Sequence, residues 1–84
     1  MYRYYYGYYV GGKLEEEDCS DPCQNKKAAG RFLAEEVKRQ YDEWLAQVGK
    51  EKLSLRPISF GSDIFILKNL VTKEEYKYWI EECP

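Results

Sequence analysis

The sequence predicts an α+β domain: a small three-stranded sheet with two helices on one face, in the element order β-α-β-β-α. Three observations lead there. Six of the nine tyrosines fall within the first ten residues, where side chains alternate as a strand requires. Apolar residues then recur at helical spacing from Ala29 to Val48. A final apolar stretch, after two short strand-like segments, begins with a helix-start signature at Thr72.

Residues 2 to 10 read as the first strand from their Tyr and Val content. Tyr2, Tyr4, Tyr6 and Tyr8 share one face and are assigned to the inward row; Arg3, Tyr5 and Tyr9 share the other, and exchange of the two rows stays open. Gly11-Gly12 ends the strand. Residues 13 to 20 carry the acidic run Glu15, Glu16, Glu17 and Asp18 without apolar periodicity, and so read as a solvated connector.

The first helix has a start signal at Asp21-Pro22-Cys23-Gln24: a capping acceptor, a proline suited to the first helical position, and a Gln able to close a capping box. Gly30 inside the helix costs about 1 kcal/mol relative to Ala. It points either to close approach of a strand or to a later start, near Asn25. Ala29, Phe32, Leu33, Val37, Tyr41, Trp44, Leu45 and Val48 form a wide apolar stripe, and Gly49 supplies the stop.

Leu53, Leu55, Ile58 and Phe60 suggest the second strand, where Pro57 demands a sheet edge or a bulge. Gly61-Ser62 suits a two-residue hairpin turn. Asp63 to Lys68 is the third strand, apolar on both faces and therefore expected either at the centre of the sheet or covered by helices on one face and a partner on the other. Thr72 and Glu75 make a capping box, Val71 and Tyr76 a hydrophobic staple, and Tyr76, Trp79, Ile80 and Cys83 the stripe of a second helix. The order is similar to that of a ferredoxin-like fold lacking its last strand, a likeness of element order alone. Residues 1–84 are read as a single domain.

The composition excludes several kinds of chemistry. There is no histidine, so every Ser-His or Cys-His arrangement is ruled out and the commonest general base is missing. The carboxylates lie in runs or at helix-surface spacing, the pattern of a solvated face. Cys19, Cys23 and Cys83 fall one ligand short of a structural zinc site and are read as ordinary thiols. Gly11-Gly12-Lys13 lacks the remaining residues of a phosphate loop. No catalytic residue, metal or cofactor is expected. No signal peptide or membrane span is legible, and a cytoplasmic protein with reduced thiols is expected.

What remains is binding. Two helices cover one face of so small a sheet, which leaves the other with one Tyr row and one apolar row from the third strand. The expected function is that of a non-enzymatic protein-binding module, a small acidic regulator or inhibitor. Its partner-binding residues are Arg3, Tyr5, Tyr9, Glu15, Glu16, Glu17 and Asp18. Tyr and Arg are residues enriched at interface hot spots, and the acidic run suits a basic partner such as a nucleic-acid-processing enzyme. Size and charge suit the inhibitors that phages and mobile elements encode. A homodimer is expected, formed over the sheet or by pairing of an open strand edge. The competing reading is single-stranded nucleic-acid binding, with tyrosines stacking bases. The net charge of −2 and the acidic run argue against it. The bland alternative is that one tyrosine row packs under a helix while the other stands in water.

Overall fold

The structure, a computed structural model, describes residues 1–57 and 64–84. Its elements are β1 (Tyr2–Val10), β2 (Lys13–Cys19), α1 (Lys26–Val48), a 3-10 turn (Lys50–Lys52), β3 (Leu53–Pro57), β4 (Phe65–Asn69) and β5 (Glu74–Glu82). The strands form one five-stranded sheet in the order β2-β1-β5-β4-β3, and every neighbouring pair is antiparallel. Among the described residues there is a single α-helix, which lies across one face. The three-stranded sheet with two helices, and with it the ferredoxin-like order, is therefore corrected.

Two misread segments account for the difference. Residues 13 to 20 are not a loop. Gly11 and Gly12 both take positive φ, 59° and 86°, which makes the two-residue turn whose twist suits a hairpin. Val10 then pairs with Lys13, and the chain returns along β1 as far as Tyr5↔Cys19. β2 sits at the sheet edge, so its side chains meet water on both faces and need no apolar periodicity. Because β2 covers it, β1 is an interior strand and its own edge cannot pair with another copy.

The second correction is the last helix, which is strand β5. Asn69 Oδ1 accepts from Val71 N at 3.0 Å and Thr72 N at 3.2 Å, which folds the chain back into a turn. The hydroxyl of Thr72 accepts from Glu74 N at 3.3 Å within that turn rather than capping a helix. β5 then runs between β1 and β4, with Tyr78 opposite Tyr6 on one side and Phe65 on the other.

The helix starts at the later of its two sequence candidates. Asn25 caps it, with Oδ1 accepting from Ala28 N at 2.8 Å. The Asp21-Pro22-Cys23 segment serves β1 instead: Tyr2 N donates to Cys23 O at 2.8 Å, and Cys23 N to Tyr2 O at 2.7 Å. From α1 the residues Ala29, Leu33, Val37, Gln40 and Trp44 are buried. Phe32 remains 53% exposed and Leu45 38%, so the packed stripe is narrower than the sequence pattern implied.

The core lies between this stripe and one face of the sheet. Leu33, Val37 and Trp44 meet Leu67 and Tyr78, surrounded by Tyr4, Tyr6, Tyr41, Leu53, Phe65, Tyr76 and Ile80. Burying each large side chain contributes about 1.5–3 kcal/mol. Trp44 and Tyr76 lie 5.6 Å apart between ring centroids, tying helix to sheet. β3, with Pro57 at its end, lies at the other sheet edge, where a missing amide donor does least harm. The expected Gly61-Ser62 turn and the end of the second strand at Phe60 fall outside the described residues.

The uncovered sheet face as candidate functional site

Alternation along each strand sorts the side chains into two sets. Tyr4, Tyr6, Tyr76, Tyr78, Ile80, Phe65 and Leu67 face the helix. The opposite set is built from Arg3, Tyr5, Gly7 and Tyr9 on β1, with Glu75, Lys77, Trp79 and Glu81 on β5. Register completes it with Cys19 and Glu17 on β2, Ile66 and Lys68 on β4, and Ser54 and Arg56 on β3. No described helix or loop covers this side.

Its centre is aromatic. Tyr5 and Trp79 are cross-strand partners and stack with centroids 5.8 Å apart and planes 13° from parallel. Trp79 Nε1 donates to Glu81 Oε1 at 3.1 Å, which fixes the indole. Desolvation raises the Tyr5 phenol above its ordinary value, with the Glu81 charge acting the same way. At one end, Arg3 donates through Nη1 to Ser20 O at 3.1 Å and reaches Cys19 Sγ at 3.5 Å. Hydrogen bonds to Cys19 and Cys83 raise its guanidinium above the ordinary value. Arg3 is thus a held cation rather than a freely waving one.

Gly7 makes room on this face. A Cβ there would stand 3.0 Å from Tyr9 Cε2 and 3.5 Å from Leu14 Cδ1, so the Tyr9 ring lies over the glycine. Tyr9, Trp79, Ile64 and Lys77 line a hollow of about 230 Å³. Lys77 makes no ion pair among the described residues, whereas Lys68 is 3.4 Å from Glu75. A second hollow, of about 620 Å³, lies over the β3–β4 margin and is lined by Ser54, Arg56, Pro57, Ile66, Lys68 and Leu70.

The acidic run is a strand edge. Glu17 pairs with Gly7 and shares the open face, while Glu16 and Asp18 pair with Tyr8 and Tyr6 on the helix side. Glu15 sits at the register shift between these pairings and Tyr9↔Leu14. Tyr6 donates its hydroxyl to Glu16 Oε1 at 3.1 Å, and Tyr8 to Glu74 Oε2 at 2.6 Å. Burial first, then the bond to Glu16, pushes the Tyr6 phenol up to about 12. For Tyr8 the bond to Glu74 leads, with the same result of about 12.

The structure therefore brings Arg3, Tyr5, Tyr9 and Glu17 together on the open face, and places Glu15, Glu16 and Asp18 along its rim or behind it. Sequence reasoning missed Trp79, Lys77 and Arg56. The signal for the first two was the alternation Glu75, Lys77, Trp79, Glu81 against Glu74, Tyr76, Tyr78, Ile80, which a helical reading scatters. Among the described residues no cluster of His, Cys, Asp and Glu could hold a metal ion. Cys19, Cys23 and Cys83 are free thiols, and no described helix is long and apolar enough to cross a membrane. Comparison with known proteins finds no matching family model, no matching curated protein and no matching solved structure.

Proposed function

We propose that the protein is a non-enzymatic protein-binding module, a small acidic regulator or inhibitor that works in the cytoplasm with its thiols reduced. One observation carries this reading: among the described residues a helix covers one face of the sheet, and the stacked Tyr5–Trp79 pair stands at the centre of the other. Aromatic residues held by stacking and hydrogen bonds lose little side-chain freedom on binding, which is how hot spots reach high affinity. The acidic β2 edge adds steering toward basic surfaces. The test is photo-crosslinking in the source cell from a probe placed at Tyr5, with Trp79→Ala as the comparison. Crosslinks to a defined protein that vanish with Trp79→Ala support the reading; crosslinks unchanged by that substitution, or none at all, overturn it.

A second reading has one observation in its favour. The hollow between Tyr9 and Trp79 has Lys77 in its lining, which suits a stacked base beside its phosphate. Titration with labelled single-stranded RNA and DNA at low salt decides it. Binding that weakens with salt and is lost in both Trp79→Ala and Lys77→Ala would replace the protein partner with a nucleic acid.

A further inference from the structure

We infer that the occupant of the open face is a second copy of this chain, packed face to face about a two-fold axis that runs along β5. The inference rests on the reading of this face as a protein contact and names the partner. β5 is the middle strand of the five, so such an axis sets β2 of one copy over β3 of the other, and β1 over β4.

The charges of the two margins are opposite. Glu17 on β2, Gly7 on β1, Lys77 on β5, Ile66 on β4 and Arg56 on β3 lie in one line across the sheet through their register partners. Rotation about β5 therefore places Glu17 over the Arg56 of the second copy, twice per dimer. Neither residue has an ion-pair partner among the described residues, and both are exposed. In aligned sheet packing the twist of about 30° moves these margins by a few ångströms, within reach of both side chains. On the axis itself Lys77 faces its own counterpart, and the Glu75 of each copy, two residues along the same face, sets negative charge beside the pair.

Shape follows the same operation. Leu14, which is 45% exposed, pairs with Tyr9 on the β1–β2 side. The hollow of about 620 Å³ lies on the β3–β4 side, with Ile66 and Lys68 in its lining. The rotation sets Leu14 and Tyr9 of each copy over the hollow of the other, Tyr9 over Lys68, and brings the two Trp79 side chains together at the axis. With strands about 4.8 Å apart, the face is about 20 Å wide, the footprint from which interfaces of about 800 Å² per partner are made. The β2 edge offers no competing route to a dimer. Two β2 edges paired antiparallel would set the carboxylates of Glu15, Glu16, Glu17 and Asp18 against each other.

Sedimentation velocity from low micromolar to near-millimolar concentration, with reductant present, tests the inference. The expected result is a monomer–dimer equilibrium. Trp79→Ala should weaken it by about thirtyfold or more, as hot-spot loss does. Glu17→Arg and Arg56→Glu should each weaken it by about fivefold, and the double variant should restore it. Both positions are exposed, so unchanged melting temperatures will show that the variants fold. A strict monomer overturns the inference, as does a dimer indifferent to Trp79→Ala or one that the double charge exchange does not rescue. If the monomer still crosslinks to another protein in a Trp79-dependent way, only the second copy is refuted. If it does not, the protein-contact reading of the face falls as well.

Discussion

The ring of Tyr9 lies across Gly7, close enough that a Cβ on the glycine would stand 3.0 Å from Tyr9 Cε2. Gly7 has no positive φ, so its backbone accepts alanine, and the obstacle is the far end of a partly exposed side chain. Gly7→Ala should thus leave the melting temperature nearly unchanged, since the gain in strand propensity offsets the shift of the ring. The Tyr9 ring resonances should move in NMR spectra while those of the helix-facing tyrosines stay put. A fall of several degrees in melting temperature would show that Tyr9 is locked in place.

Gly30 invites the opposite substitution. It lies within α1, and an added Cβ would meet Ile80 Cδ1 at 3.8 Å, an ordinary contact. Close approach of a strand does not require the glycine. Gly30→Ala should stabilise the protein by about 0.5–1 kcal/mol, read as a higher urea midpoint at unchanged slope.

The two candidate helix caps separate cleanly. Asn25→Ala removes the acceptor for Ala28 N and should cost about 0.5–2 kcal/mol in urea denaturation. Asp21→Ala removes a side chain that plays no part in capping α1, and should change stability by less than about 0.5 kcal/mol.

Inside the core, Tyr78 is 1% exposed, and its hydroxyl has no hydrogen-bond partner among the described residues. Burial pushes its phenol far above the ordinary value. Tyr78→Phe deletes an orphaned polar atom and keeps the ring, so stability should rise by about 1 kcal/mol. Leu67→Ala, at a fully buried position in the same cluster, should cost about 2–5 kcal/mol. Chemical denaturation of the pair measures both signs.

Alkaline pH probes the helix-side tyrosines. The ordinary phenol value is near 10, and Tyr6 and Tyr8 are each raised to about 12. Below pH 10 both states keep the proton and the hydrogen bonds contribute fully. Between about pH 10 and 12 only the unfolded chain ionises, so stability should fall through that window. Tyrosinate absorbance should show a late-titrating class, and Tyr8→Phe should remove one member of it.

How far the sequence disclosed this molecule follows from which forces act locally. The α1 stripe was legible because Ala29, Leu33, Val37 and Trp44 bury against a single layer, and burial leaves a helical period. The first strand, and its division into an Arg3-Tyr5-Tyr9 row and a Tyr4-Tyr6-Tyr8 row, was legible from alternation alone. β2 was not, because an exposed edge strand is held by backbone bonds to β1 and its side chains record nothing of them. Its trace was the pair Gly11-Gly12 between two extended runs, a hairpin signal read only as a strand exit. β5 was lost to an ambiguity of period. Tyr76, Trp79, Ile80 and Cys83 match a helix, while Tyr76, Tyr78 and Ile80 match a strand, and only the partners β1 and β4 decide. With β5 went Trp79 and Lys77, from the middle strand of the open face. Arg56 was read without a face because the run of its strand beyond Pro57 was unassigned to an edge or a bulge.

Tyr2 pairs with Glu82, and Cys83 N donates to Met1 O at 2.7 Å, so the earliest and latest strands of this sequence lie side by side within the sheet. Synthesis cannot deliver this fold in instalments. Until the segment through Glu82 has been made, β1 has β2 and α1 to pack against but lacks the strand that closes its inner edge. Closure of the sheet thus waits for β5, and until then the inner edge of β1 stays unpaired while the negative charge of β2 guards the outer one.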